Sequence, residues 1–122
     1  MEKIVITSEG PSLDDALDPR FGRAAGFMVV DPQTLEFQYM DNGAGQARAQ
    51  GAGIQAAETI AHTGAKALLT GYVGPKAFMA LQAAGIRIGH NLENMTVRQA
   101  VDRFNSGQVQ WAAAPNRKGH GR

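Results

Sequence analysis

Lys66-Ala67-Leu68-Leu69-Thr70-Gly71-Tyr72-Val73-Gly74-Pro75 is a short apolar strand that runs through two glycines into a helix. Pro75 suits the first helical turn, where its missing N–H has no partner to lose and its fixed φ is already helical. Downstream, Phe78, Leu81 and Ala84 recur at helical spacing, Gly85 ends the run, and Ile86-Arg87-Ile88 reads as a further strand. Upstream, from about Gln50 to His62, Ile54, Ala57, Ile60 and Ala61 fall on one helical face, and Gly64 supplies the stop. Strands and helices alternating in this way predict right-handed parallel crossovers.

The segment before this unit has a different rhythm. Lys3-Ile4-Val5-Ile6-Thr7 is a β-branched run bounded by Ser8-Glu9-Gly10-Pro11, and Phe27-Met28-Val29-Val30 is a second apolar strand. Asp31-Pro32 breaks the latter, and Leu35 to Met40 then alternates with period two, which predicts a hairpin whose second strand faces solvent on one side. Residues 8–25 form a long irregular connection, and Asp41 to Gly53 is a glycine- and alanine-rich stretch feeding the helix. At the other end, Thr96 and Gln99 form a capping box ahead of Val97, Ala100, Val101 and Phe104, and Asn105-Ser106-Gly107 closes that helix. Val109-Gln110-Trp111 either adds an edge strand or packs on the helices. The predicted order is β-β-β-α-β-α-β-α: an α/β domain with a ribonuclease H-like, mixed five-stranded sheet flanked by helices. Residues 1–111 are expected to form this single domain, with 112–122 a basic, flexible tail.

A chain of 122 residues suits one core. Its apolar runs are a few residues long, far below the roughly 20 that cross a bilayer, and no signal-like segment opens the sequence, so a cytoplasmic location away from membranes is expected. Net charge is +1, with twelve basic and eleven acidic residues. Three of the twelve (Arg117, Lys118 and Arg122) lie in the last eight residues, so residues 1–114 carry nine basic against eleven acidic groups. A slightly acidic body without a basic stripe argues against nucleic acid as partner. The absence of cysteine excludes disulfides, thiolate-bound zinc, cysteine-ligated iron–sulfur clusters and a thiol nucleophile.

Two segments stand out chemically. In open α/β sheets ligands bind beyond the carboxyl ends of the parallel strands, where Thr7-Ser8, Thr70-Gly71 and Gly89-His90 are expected. Gly71-Tyr72-Val73-Gly74 leads into a helix N-terminus, whose free N–H groups and dipole favour an anion. Its glycines serve equally to permit a tight turn. Asp18-Pro19-Arg20-Phe21-Gly22-Arg23 carries two guanidinium groups about an aromatic residue, and arginine's planar fork suits polyatomic anions. The same arginines could instead pair with Asp14, Asp15 or Asp18, which read as a solvated loop face rather than a Mg²⁺ site. His90, at a strand end, is a candidate soft-metal ligand or anion donor, or a packing residue. Met28, Met40, Met79 and Met95 read first as core filler. Ser8, Ser12 and Ser106 have no visible base, and no catalytic constellation emerges, so an enzyme is not expected.

These segments together resemble the dinitrogenase iron–molybdenum cofactor biosynthesis family. The resemblance rests on Asp18-Pro19-Arg20-Phe21-Gly22-Arg23-Ala24, on Gly51-Ala52-Gly53-Ile54-Gln55-Ala56-Ala57, and on Leu68 to Phe78 with Leu81-Gln82-Ala83-Ala84-Gly85-Ile86, and it covers roughly residues 1–105. The small cysteine-free members imply a carrier that holds a molybdenum–copper sulfide cluster without covalent attachment. Such a cluster brings its own sulfides, is anionic and has polarizable faces, so a cysteine-free pocket can hold it. Carried over residue by residue, the resemblance places the site at Arg20, Phe21, Gly22 and Arg23 with Gly71, Tyr72, Val73 and Gly74. Arg48, Lys76 and His90 are added from their expected positions. An adaptor module working with nucleotide-dependent ATPases or cofactor-assembly proteins is the second reading. A phosphoryl-transfer enzyme is a third, and the missing carboxylate set argues against it.

Overall fold

The computed structural model describes residues 2–47 and 50–116. Strands β1 (Ile4–Ser8), β2 (Gly26–Val30) and β3 (Phe37–Asp41) are followed by a short helix α1 (Gly43–Ala47) and by α2 (Ala52–His62). Then come β4 (Ala67–Leu69), α3 (Pro75–Ala83), β5 (Arg87–His90), α4 (Val97–Asn105) and β6 (Gln110–Trp111). All six strands form one mixed sheet in the order β3-β2-β1-β4-β5-β6. β1, β4 and β5 are parallel, with Ile4 opposite Ala67 and Ala67 opposite Arg87. β2 and β3 join antiparallel on one side, and β6 joins β5 antiparallel on the other.

Alternation along the buried strands divides the core in two. Val5, Phe27, Val29, Leu68 and Ile88 pack under Ala56, Ala57 and Ile60 of α2 and Ala77, Phe78 and Leu81 of α3. On the opposite face Ile4, Ile6, Met28, Val30, Ala67 and Leu69 meet Val97, Ala100 and Val101 of α4, with Leu13 and Leu17 from the long connection. β1 and β2 are buried at all five positions because both faces are covered. Thr96 and Gln99 exchange both capping-box hydrogen bonds at the start of α4, as their spacing predicts. Gly64, Gly85 and Gly107 sit at left-handed φ just past α2, α3 and α4, where the chain must reverse.

The expected strand count is corrected from five to six. β6 is only two residues long, and its existence depends on pairing Gly89 with Trp111 and His90 with Gln110. Trp111 is held further by the Arg87 guanidinium, 3.8 Å above its ring, and by an edge contact from Phe104. The alternating strand begins at Phe37, because Leu35 adopts a left-handed φ of 66° in the turn that Asp31 organises by accepting from Gln33 and Thr34 N–H. Ile54, expected in the buried face of α2, is 39% exposed, and the buried positions are Ala52, Ala56, Ala57 and Ile60. Small residues occupy that face because α2 lies close against α3, where a Cβ on Gly53 would approach Ala77 Cβ at 3.0 Å.

Topology brings one end of the molecule together. Thr7-Ser8, the residues after Leu69 and Gly89-His90 share the edge at which the parallel strands end. α2 leads into β4 and α3 leaves it, so both helices run back along the sheet with their N-termini at this same edge.

Candidate functional site

The two segments singled out in the sequence are hydrogen-bonded to each other at this edge. Tyr72 N–H donates to Pro19 O (2.7 Å) and Phe21 N–H donates to Tyr72 O (3.3 Å), so the arginine turn adds a short parallel bridge to the glycine turn. Gly71 is required by that approach, since a Cβ there would lie 2.6–2.7 Å from Pro19 Cβ, Cα and O. Gly22 faces the start of α2 in the same way, and a Cβ at that position would meet Gly53 N at 2.8 Å and Gly53 Cα at 2.9 Å. Gly22, Gly53 and Ala77 are thus stacked: the first turn of α2 abuts the arginine turn, and the first turn of α3 abuts α2.

Asp18 anchors the turn from below. Its carboxylate is 1% exposed, which corrects the expectation of a solvated loop face. Oδ1 accepts from Arg20 N–H and Nε (both 3.1 Å), and Oδ2 accepts from Arg20 Nη2 and Ala25 N–H (both 3.1 Å). The hydrogen bond to Asp18, reinforced by that carboxylate's charge, holds the Arg20 guanidinium above its ordinary pKa. Two of its five N–H groups are used on Asp18, and with a half-exposed side chain the Nη1 edge is left to the surface. Below Asp18, the Thr7 hydroxyl donates to Asp18 O (2.6 Å) and is hydrogen-bonded to the Thr70 hydroxyl (2.8 Å). Asn42 closes the turn by donating to Gly22 O (3.3 Å) and Ala24 O (3.0 Å). Arg23 reaches the C-terminal end of α1, where Nη1 donates to Gln46 O (3.2 Å).

The remaining predicted residues divide by what they offer. Phe21 and Val73 are 2% and 1% exposed and pack in the core under α2 and α3, Phe21 tilted against Phe27 at 6.3 Å. The aromatic ring is therefore not presented between the arginines. Burial keeps it inside, and these two residues bring their backbone to the edge. Tyr72 donates its hydroxyl to Glu93 Oε1 (2.8 Å), a bond that raises its pKa above the ordinary phenol value. Lys76 is exposed in the first turn of α3. His90 lies on the same strand face as Ile88, and its Nδ1 is buried without a hydrogen-bond partner among the described residues. Arg48 lies outside the described residues.

Neither helix N-terminus is capped by a side chain. Gly51 and Gly74 occupy the N-cap positions, and the Lys76 and Ala77 N–H groups donate to no acceptor among the described residues. Gly74 differs from Gly71 in an informative way. It has an ordinary φ of −76°, and a Cβ there would meet nothing within 4 Å. Neither the backbone nor packing demands glycine, so its small size leaves open space in front of α3. The edge combines guanidinium groups, two positive helix ends, open space and an unpartnered imidazole nitrogen, a donor set suited to an anion with soft atoms. No group of three or more His, Asp or Glu residues able to hold a bare metal ion occurs among the described residues.

Sequence reasoning missed three asparagines here. Asn91 N–H and Asn116 Nδ2 both donate to Gly71 O (2.9 and 2.8 Å), and Asn42 holds the arginine turn as above. Asn91 has a left-handed φ of 61°, a conformation asparagine tolerates, which was the available signal. Asn116 left none, because its partners, Gly71, Val73 and Asn91, are all distant in sequence.

Known proteins place this architecture. The orange protein of Desulfovibrio gigas, solved in its apo form, is 62% identical and superposes with a TM-score of 0.92 over 96% of this chain and 98% of its own. A putative NifB protein from Thermotoga, solved by NMR, is 29% identical with a TM-score of 0.82 over the same shares of the two chains. An uncharacterized protein of Methanocaldococcus jannaschii is 26% identical over 102 residues, which is 82% of this chain and 86% of that protein. The family model described as dinitrogenase iron-molybdenum cofactor matches residues 2–107. The chain belongs to the dinitrogenase iron-molybdenum cofactor family.

Proposed function

We propose that this chain is a carrier that binds an anionic molybdenum–copper sulfide cluster, non-covalently, at the edge where the arginine and glycine turns meet. Support comes first from a single arrangement: the two turns are hydrogen-bonded side by side where the uncapped N-termini of α2 and α3 converge. One exposed helix end contributes only about 0.3–1 kcal/mol to holding an anion, so convergence of two with guanidinium groups is what makes retention reasonable. The cluster supplies its own sulfide ligands, where a cysteine-free chain has no thiolate to offer. Arg20 and Arg23 balance its charge, Gly74 leaves it room, and His90 is a candidate for direct ligation to a metal atom. The kinship with the orange protein and the cofactor family agrees with a carrier rather than a catalyst.

Apo-protein mixed with tetrathiomolybdate and copper should gain visible charge-transfer absorption that stays with the protein through gel filtration. A colourless protein peak would remove the reading. In the same experiment an Arg20→Ala, Arg23→Ala chain, its fold checked by far-ultraviolet circular dichroism, should keep less than about a tenth of the colour, as expected from losing two charge-assisted contacts of roughly 1.5–3 kcal/mol each. Wild-type retention by a folded double variant would take these arginines out of the site.

A further inference from the structure

The backbone of the glycine turn is already engaged by a side chain from the far end of the chain. Asn116 accepts from Val73 N–H through Oδ1 (2.9 Å) and donates through Nδ2 to Gly71 O (2.8 Å) and to Asn91 Oδ1 (2.8 Å). The chain arrives there from β6: Ala112 N–H still pairs with Ile88 O (2.7 Å), and Ala113, Ala114 and Pro115 then cross in the open, all exposed. These three residues are small and uncovered, so they add little apolar hold. Asn116, half-buried, is the anchor of the segment. The other hydrogen-bonded groups of the turn, Gly71 O, Tyr72 N–H and Tyr72 O, have backbone partners, whereas the one acceptor Val73 N–H meets among the described residues is a neutral amide oxygen.

We infer that residues 112–116 form a self-occluding strap, with Asn116 standing on the Val73 N–H that an anion would use and yielding it when the anion enters. Hydrogen bonds to an ionised acceptor are roughly twice as strong as those between neutral groups, so a cluster sulfide or other anionic acceptor outcompetes an amide oxygen at this N–H. The strap holds the turn in shape while the site lacks its ligand, and lowers apparent affinity by the fraction of molecules in which it is closed. The identity of the anion rests on the function proposed above. The strap itself rests only on the Asn116 contacts.

Asn116→Ala separates the two, because it removes the strap's anchor without changing charge. In the full-length ligand-free protein, amide hydrogen exchange at Val73 should quicken about fivefold or more in the variant, the equivalent of one net hydrogen bond. Exchange at Val73 unchanged from wild type would overturn the strap. With tetrathiomolybdate and copper as probe, the variant should bind about fivefold more tightly. Equal or weaker binding would overturn the competition and make Asn116 a clamp on the ligand. If neither protein binds the probe, the cluster reading fails, and exchange at Val73 alone decides the strap.

Discussion

An Asp18→Ala chain should lose about 2–4 kcal/mol of stability, read as a lower urea midpoint with an unchanged slope. The magnitude follows from what the carboxylate holds. It is buried and accepts four hydrogen bonds, two from the Arg20 side chain and one each from the Arg20 and Ala25 backbone. Arg20 is half-exposed and can turn to water when its partner goes, so its share of the loss is small. The Ala25 and Arg20 N–H groups are part-buried and fixed in the backbone, so they carry most of the loss. Each buried donor left without an acceptor costs roughly 1–3 kcal/mol. Asp18→Asn should be nearly as damaging, because the amide must turn an NH₂ toward either the guanidinium or the Ala25 N–H. A midpoint within error of wild type for both variants would show that the turn is organised without this carboxylate. The same residue also ties stability to the site, since Thr7 and Thr70 carry the Asp18 backbone on the ends of β1 and β4.

Asp18 marks where the sequence is legible and where it is not. The elements with strong local signals stand where they are expected. β1 and β2 are continuous apolar runs, α4 has a capping box, and three helices end at left-handed glycines. Those signals are short-range, so the chain carries them in the open. β6 has no propensity of its own that two residues could express, and it forms because β5 presents an unpaired edge and Arg87 and Phe104 grip Trp111. The face of α2 is rotated from its apolar pattern because the sterically tight contacts are those of Ala52 and Gly53 with Gly22 and Ala77. Periodicity records hydrophobicity and cannot register that a bulky Ile54 would not fit there. The candidate site was half legible. Arginine and glycine turns announce themselves by composition, and topology puts both at the carboxyl edge. An aspartate among Asp14, Asp15 and Asp18 looks the same whether it is solvated, as Asp14 is beside Arg98, or buried, as Asp18 is.

Gly71 and Gly74 sit three residues apart in one turn, and substituting them should give opposite results. Gly71→Ala places a Cβ 2.6–2.7 Å from Pro19, against backbone atoms that cannot swing aside. Relieving that contact means parting the Tyr72 N–H bond to Pro19 O, which joins the two turns. The expected cost is about 1–3 kcal/mol, the usual range for overpacking, with cluster retention lost alongside because the turns separate. Gly74→Ser meets open space at an ordinary φ and ψ of −76° and 171°, the extended geometry an N-cap adopts. Its hydroxyl can accept from the first-turn N–H groups of α3, so stability should rise by a few tenths of a kcal/mol. That hydroxyl then occupies the donors assigned to the anion and fills the space in front of them, so cluster retention should fall severalfold in a protein at least as stable as wild type. Urea midpoints and retained colour, measured on both variants, separate the two roles. A Gly74→Ser chain that is stabilised and still holds the full cluster would take the N-terminus of α3 out of the site, leaving the arginine turn and α2 to hold the anion. Loss of retention without loss of stability would mean that glycine is kept at position 74 for the ligand, at a small cost to the helix.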